Sequence, residues 1–180
     1  MLIGLGYKAR TGKDEAARRL VERHGFIRLA FADALKAGCK AIFSLTDEQL
    51  HGDAKDEIDD FWGTTPRDIL QRTGTECMRR GFGEGVWIKA LERRLRGVRD
   101  AVVADVRFPN EAEAIKSWGG FLVRVDRPFA PRIGTSAHAS ETALDGYEGW
   151  DFGVKNNGTV DDLHRIVDEL VEKIRRISRR

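Results

Sequence analysis

The sequence predicts an α/β protein: three layers, α/β/α, around a mostly parallel sheet of about five strands. Three observations carry the prediction. Short apolar runs rich in valine and phenylalanine recur along the chain, segments of helical periodicity separate them, and a glycine-rich turn joins the first run to the first helix. Strands that alternate with helices need crossover connections, which make neighbouring strands parallel and put helices on both faces.

Residues 2 to 6, "LIGLG", form an apolar run that ends in glycine, and the segment 14 to 24 then places Ala17, Leu20, Val21 and His24 on one helical face. "FIRLAF" (26 to 31) reads as a second strand, and "DALKAGCKAIFSL" (33 to 45) as a helix with Leu35, Cys39, Ile42 and Phe43 inward. Thr46 to Gln49 fits a capping box, Thr65 with Pro66 starts a further helix, and Thr159 to Asp162 opens the last one. Each supplies a side-chain oxygen to the backbone N–H groups that a helix start leaves unpaired. "AVVADVRF" (101 to 108) and "FLVRVDRP" (121 to 128) read as strands separated by a short helix, "PNEAEAIKSW". The final helix repeats Leu163, Ile166, Val167, Leu170, Ile174 and Ile177 on one face, the pattern of core packing. Residues 127 to 150 show no periodicity and are rich in proline and small hydroxyl residues, so they are expected to form a mobile flap or short lid.

The 180 residues, 41% hydrophobic and 33% charged, suit one globular domain spanning 1 to 180, with a helical region over about 33 to 100. With 31 Lys and Arg against 29 Asp and Glu the net charge is +2, so no specific nucleic-acid partner is expected. The basic tail "KIRRISRR" reads as cations that complement a helix C-terminus. Cys39 and Cys77 form no C-x-x-C pair and read as small core residues in a reducing compartment, and the four histidines lack zinc-ligand spacing. The start of the chain does not resemble a signal peptide, and no apolar run is long enough to span a membrane, so a cytoplasmic location is expected.

"GLGYKARTGKDEAA", residues 4 to 17, stands between the first strand and the first helix, where a phosphate-binding loop belongs. Gly4, Gly6 and Gly12 let the backbone turn so that successive N–H groups face an anion at the positive end of the helix, with Lys13 reaching the terminal phosphates. The common loop has four residues between its glycines and a Ser or Thr after Lys. Here Tyr7 occupies the position expected for the first glycine, which one extra residue between Gly6 and Gly12 explains, and Asp14 follows the lysine.

Asp105 lies near the end of a second apolar strand, with Arg107 two residues on. In nucleoside triphosphate enzymes such a carboxylate helps hold Mg²⁺, and an arginine neutralises charge developing on the transferred group. The second half of the chain adds Arg67, Arg79, Arg80, Arg124, Arg127 and Arg132, whose guanidinium forks match phosphate oxygens two at a time. Arg67 opens a helix beside the capping Thr65, where helix N–H groups and guanidinium together suit a monophosphate.

These residues resemble the deoxynucleoside monophosphate kinases found mainly in tailed bacteriophages. The resemblance runs through "GLGYKARTGKD", "LAFADALK", "TPRDILQRTGTE", "GVWI", "DVRFPNEAEAI", "HASE" and "DFGVKNNGTVDDL", in order over nearly the whole chain. It implies a P-loop kinase fold akin to adenylate kinase, with a helical monophosphate-binding insertion, and transfer of the γ-phosphoryl group of ATP to a deoxynucleoside monophosphate with Mg²⁺. By the same resemblance Gly6, Lys8, Arg10, Thr11, Gly12, Lys13, Asp14 and Glu15 would hold the ATP phosphates, and Asp14 and Asp105 would stand near the metal. Asn156, Asn157 and Gly158 would pack against adenine. Arg107 would flank the reacting phosphoryl group, and Arg127 and Arg132 would close over it from the flap. Asp33, Lys36, Arg67, Gln71 and Trp87 would bind the acceptor, Arg67 at its phosphate and Gln71 near its base. His138, Ser140 and Glu141 fall in the flap with no role assigned. Many family members carry Thr where this chain has Glu15, so a hydroxyl that could ligate Mg²⁺ is missing.

The expected partners are small molecules, with a homodimer left open, and the expected location is the host cytoplasm if a phage encodes the chain. Two alternatives also stay open on sequence alone. One is a P-loop kinase of another small metabolite, such as dephospho-coenzyme A. The other is a non-catalytic nucleotide-binding module, which Glu15 and the basic tail would favour.

Overall fold

β1 (Leu2–Gly6) is buried from Ile3 to Gly6 and occupies the centre of a five-stranded sheet of order β2-β3-β1-β4-β5. The computed structural model describes residues 1–128 and 142–178. Around β1 stand β2 (Ile27–Leu29), β3 (Ala101–Val106), β4 (Phe121–Asp126) and β5 (Phe152–Lys155), and every pairing is parallel. The sheet is thus wholly parallel among the described residues, as βαβ crossovers require.

The chain divides into two compact units, residues 1–30 with those from 97 onward, and residues 31–96. The first holds the sheet. On one face α1 (Lys13–His24) and α8 (Val160–Ser178) pack together, sharing a core of Ile3, Leu5, Ala17, Leu20, Val102, Val123, Val167 and Ile174. On the other face lies α7 (Pro109–Ser117), so close that a Cβ on Gly4 would sit 3.2 Å from the Ile115 side chain. This is the three-layer α/β/α arrangement expected.

The second unit is helical. It contains α2 (Ala32–Phe43), α3 (Asp47–His51), a 3₁₀ turn (Asp53–Asp56), α4 (Pro66–Gln71), a π-helical stretch (Arg72–Arg79), α5 (Arg80–Phe82) and α6 (Val86–Leu95). Its core is Cys39, Leu45, Leu50, Ile69 and Leu70, with Leu35 and Phe43 packed against them. Gly74 lets the π-helical stretch approach α2, since a Cβ there would fall 2.7 Å from Leu35. The three anticipated caps form. Thr46 and Gln49 bond reciprocally, Thr65 accepts from the Asp68 N–H, and Thr159 and Asp162 close a box ahead of α8.

Several expectations are corrected. In α1 it is Ala16 that faces inward, while Val21 is 37% exposed. Ile42 on α2 is 67% exposed and Ile177 on α8 46%, each at the fraying end of its helix where the apolar stripe leaves the core. Cys77, expected as a small core residue, is exposed on the π-helical stretch, while Cys39 is buried. β2 spans three residues, two of them exposed, as befits an edge strand. Periodicity did not single out β5 or α6, the first because four residues are too few to show alternation.

Candidate active site

In the first unit the chain leaves the carboxyl end of β1 at Gly6 and reaches α1 through residues 7 to 12. Three of these take left-handed backbone angles: Tyr7 (φ 94°), Arg10 (φ 56°) and Gly12 (φ 99°). Left-handed residues bend a backbone sharply, and concavities that bind anions through N–H groups are built from such residues. Gly6 is required by contact, and Gly12 by contact as well as conformation. A Cβ on Gly6 would meet the Trp150 indole at 2.7 Å, and one on Gly12 would meet Nδ2 of Asn156 at 2.5 Å.

Lys13 is only 6% exposed and its ammonium lies under the loop, donating to the Lys8 carbonyl and, at 3.3 Å, to Oγ1 of Thr11. Thr11, equally buried, donates in turn to the Lys8 carbonyl at 3.1 Å. From behind, Asn156 donates Nδ2 to the Thr11 carbonyl at 3.0 Å, while its own backbone N–H is held by the Asp126 carbonyl at 2.7 Å. Asn157 and Gly158 are exposed in the turn before α8.

Lys8 and Arg10 are exposed, and Lys8 pairs with Asp145 at 3.2 Å. Asp14, its side chain 87% exposed, makes an ion pair with Arg28 at 3.2 Å. Glu15 points along the helix surface instead, to Arg18 and, at 2.5 Å, to Nε2 of His164 on α8. The Arg18 guanidinium holds the Glu15 carboxyl below its ordinary range, and His164 adds to the effect.

Asp105 sits half-buried at the carboxyl end of β3. There the pairing with β1 slips, because Gly4 opposes Val103 while Gly6 opposes Val106, and such irregularities often re-aim side chains beside functional sites. Arg107 follows on the turn into α7. Its backbone N–H, at 2.9 Å, and that of Phe108, at 3.2 Å, both donate to Oε2 of Glu111, a carboxylate only 3% exposed. Glu111 is a positioning group the sequence reading did not single out, although an acidic residue at the third helical position after Phe108-Pro109 is a capping signal. Arg127 is exposed at the end of β4. Arg132, His138, Ser140 and Glu141 lie outside the described residues.

The second unit carries the anticipated acceptor residues. Asp33 and Lys36 are on α2, where Asp33 binds Arg94 of α6 at 2.8 Å and Lys36 meets Nδ1 of His51 at 3.1 Å. Asp33, Lys36 and His51 line one small cleft with Lys40, Asp47 and Leu50. Arg67, in the first turn of α4, binds Asp56 through both Nε and Nη2. Gln71 ends the same helix, partly exposed. Trp87 is buried, and its indole N–H donates to the Gly74 carbonyl at 3.1 Å, where the π-helical turns leave that acceptor available. Among the described residues no group of three or more His, Cys, Asp or Glu side chains could enclose a metal ion, and no helix is long and apolar enough to cross a membrane.

Comparison with known proteins bears on the family and the fold. No protein-family model matches the chain. A protein of Acanthamoeba polyphaga mimivirus that is named for, without being established in, deoxynucleotide monophosphate kinase activity is 36% identical over 188 aligned residues, covering 96% of each protein. A deoxynucleoside-5'-monophosphate kinase of Escherichia phage T5 is 41% identical over 56 residues, 29% of this chain and 22% of the phage enzyme. Among solved structures, shikimate kinase from Aquifex aeolicus superposes with a TM-score of 0.57 over 96% of both chains at 13% identity, which establishes the shared kinase fold. A relative this similar over almost its full length decides the matter: the chain belongs to the deoxynucleoside monophosphate kinase family of phosphotransferases.

Proposed function

We propose that the enzyme transfers the γ-phosphoryl group of ATP to a deoxynucleoside 5'-monophosphate, giving the diphosphate and ADP. The observation that carries this reading is Lys13, a buried ammonium held beneath a loop of left-handed turns at the carboxyl end of the central strand. Phosphoryl transfer needs positioning and charge stabilisation more than covalent chemistry, and a preorganised cation with converging N–H groups supplies both. Lys13 and the backbone of residues 7 to 12 bind the donor phosphates, Asn156 fixes the loop, and Arg107, on a turn tied down by Glu111, faces the developing charge.

Mg²⁺ is part of the proposal. It prefers oxygen ligands and keeps several waters, so one or two carboxylates suffice. Asp105 at the end of β3 and the exposed Asp14 are of that kind, and would hold the ion directly or through water. When bound, it neutralises charge on the phosphate oxygens. Glu15, tied to Arg18 and His164, is committed to the seam between α1 and α8 and has no assigned share in the metal.

For the acceptor we assign Arg67 and the N-terminus of α4 to the monophosphate, with Asp33, Lys36 and Gln71 on the nucleoside. Asp56 holds the Arg67 guanidinium until a dianion replaces it. Trp87, buried against Gly74, shapes this unit from within. The reading assigns the reaction to the compartment that holds ATP and deoxynucleotides, the cytoplasm.

A coupled assay of ADP release with Mg-ATP across dAMP, dGMP, dCMP, dTMP and their ribo counterparts tests the reading. Acceptor-dependent turnover is expected, and none with any of them sinks it. Arg67→Ala should raise the monophosphate KM about tenfold or more while the ATP KM stays within about twofold. Equal weakening of both would place Arg67 on the donor instead.

A further inference from the structure

Tyr7 is the residue for which a loop of this kind offers no obvious need. It is bulky, it stands at φ 94° where the common motif has glycine, and that conformation is strained for any side chain with a Cβ. A glycine there would be relaxed. Strain of this kind persists when something depends on the side chain.

The side chain carries two cations. The Arg124 guanidinium lies over the Tyr7 ring with Cζ 3.9 Å from the centroid, in cation–π contact, and Nζ of Lys8 approaches the same ring at 5.3 Å. Arg124 is on β4 directly opposite Gly6 of β1, so the stack is anchored where both strands end. The location is chemically loaded. From β1 the chain winds through α1 towards β2 on one side of the sheet, whereas β4 leads to β5 on the other, so the winding reverses between β1 and β4. In open parallel sheets ligands bind in the crevice outside the carboxyl ends at such a reversal.

Stacking also leaves the guanidinium edge unspent. Arg124 donates Nη2 to Asp126 at 3.1 Å, and among the described residues neither Nε nor Nη1 has an acceptor. A guanidinium held over a ring, with further donors left for a ligand, is organised for a phosphate oxygen.

We propose that Arg124 is a phosphate-binding residue of the ATP site and that Tyr7 is its positioning residue, which accounts for a strained aromatic residue at the start of the loop. The inference rests on the reading of residues 7 to 12 as the ATP loop. It does not depend on the identity of the acceptor.

The test is ATP affinity by calorimetry, without acceptor, beside thermal melts, on the full chain. Arg124→Ala is expected to weaken ATP binding about tenfold or more. Tyr7→Gly should weaken it comparably while the melting temperature stays level or rises, because the strained backbone relaxes. Tyr7→Phe, which keeps the ring, should recover most of the affinity. The double variant Tyr7→Gly/Arg124→Ala should be little worse than Arg124→Ala, since both changes remove one unit. Wild-type affinity in either single variant, or full additivity in the double, overturns the proposal. So does a wild-type protein that does not bind ATP. A protein that binds ATP with this pattern yet phosphorylates no monophosphate would leave Arg124 and Tyr7 assigned and remove the kinase substrate assignment alone.

Discussion

Lys13 is almost wholly buried, which a lysine tolerates only when its charge is satisfied. Here the carbonyl of Lys8 and the hydroxyl of Thr11 accept from its ammonium. Its role is therefore electrostatic. Lys13→Ala should lower kcat/KM by about 100-fold or more, in the range of losing a preorganised charge-stabilising group, while urea midpoints move little. A collapse of the fold, or turnover near wild type, would contradict this role. Asn156 illustrates what a motif can hide. Its side chain holds the Thr11 carbonyl from 145 residues away, and Gly12 must lack a Cβ to admit it.

At the scale of elements, the seam between α1 and α8 is polar where it meets solvent. Asp168 accepts from Arg19 at 3.0 and 2.6 Å and lies 2.8 Å from Nε2 of His24, and Glu15 reaches His164 across the same seam. The Arg19 guanidinium, bound in fork fashion, and His24 beside it hold the Asp168 carboxyl down to about 2, against an ordinary 3.8. A carboxyl lowered on folding contributes stability that is fully present above its unfolded value and disappears as pH falls through the folded one. Asp168→Asn should thus cost about 1 to 2 kcal/mol at pH 7, discounted for partial exposure, with the difference from wild type vanishing between about pH 4 and pH 2. Urea titrations at several pH values measure it, and a difference constant down to pH 2 would disprove the linkage.

For the molecule as a whole, ligand and metal should act on stability separately. No described cluster of ligating side chains binds a metal as part of the fold, so EDTA should leave the melting temperature of the free protein unchanged. A non-hydrolysable ATP analogue with Mg²⁺, at about a hundred times its Kd, adds about 2.7 kcal/mol, or about 5 to 10 °C for a chain this size. Chelation should shrink that shift and Lys13→Ala should abolish most of it. Thermal melts in the four conditions check both statements, and an EDTA effect on the free protein would reveal a structural ion.

What was legible in the sequence was whatever depends on neighbours along the chain. The strand, loop and helix around Gly6, Gly12 and Lys13, the caps at Thr46, Thr65 and Thr159, and the apolar face of α8 follow from local turn chemistry and helical periodicity. The order of motifs was enough to indicate the kinase family. Only tertiary structure decided that Glu15 serves the α1 and α8 seam, and that Asn156, just past β5, and Arg124 on β4 meet the loop from distant parts of the chain. The physical reason is separation along the chain: contacts between residues tens to more than a hundred positions apart are set by sheet order and helix packing, and a single sequence carries no local signature of either.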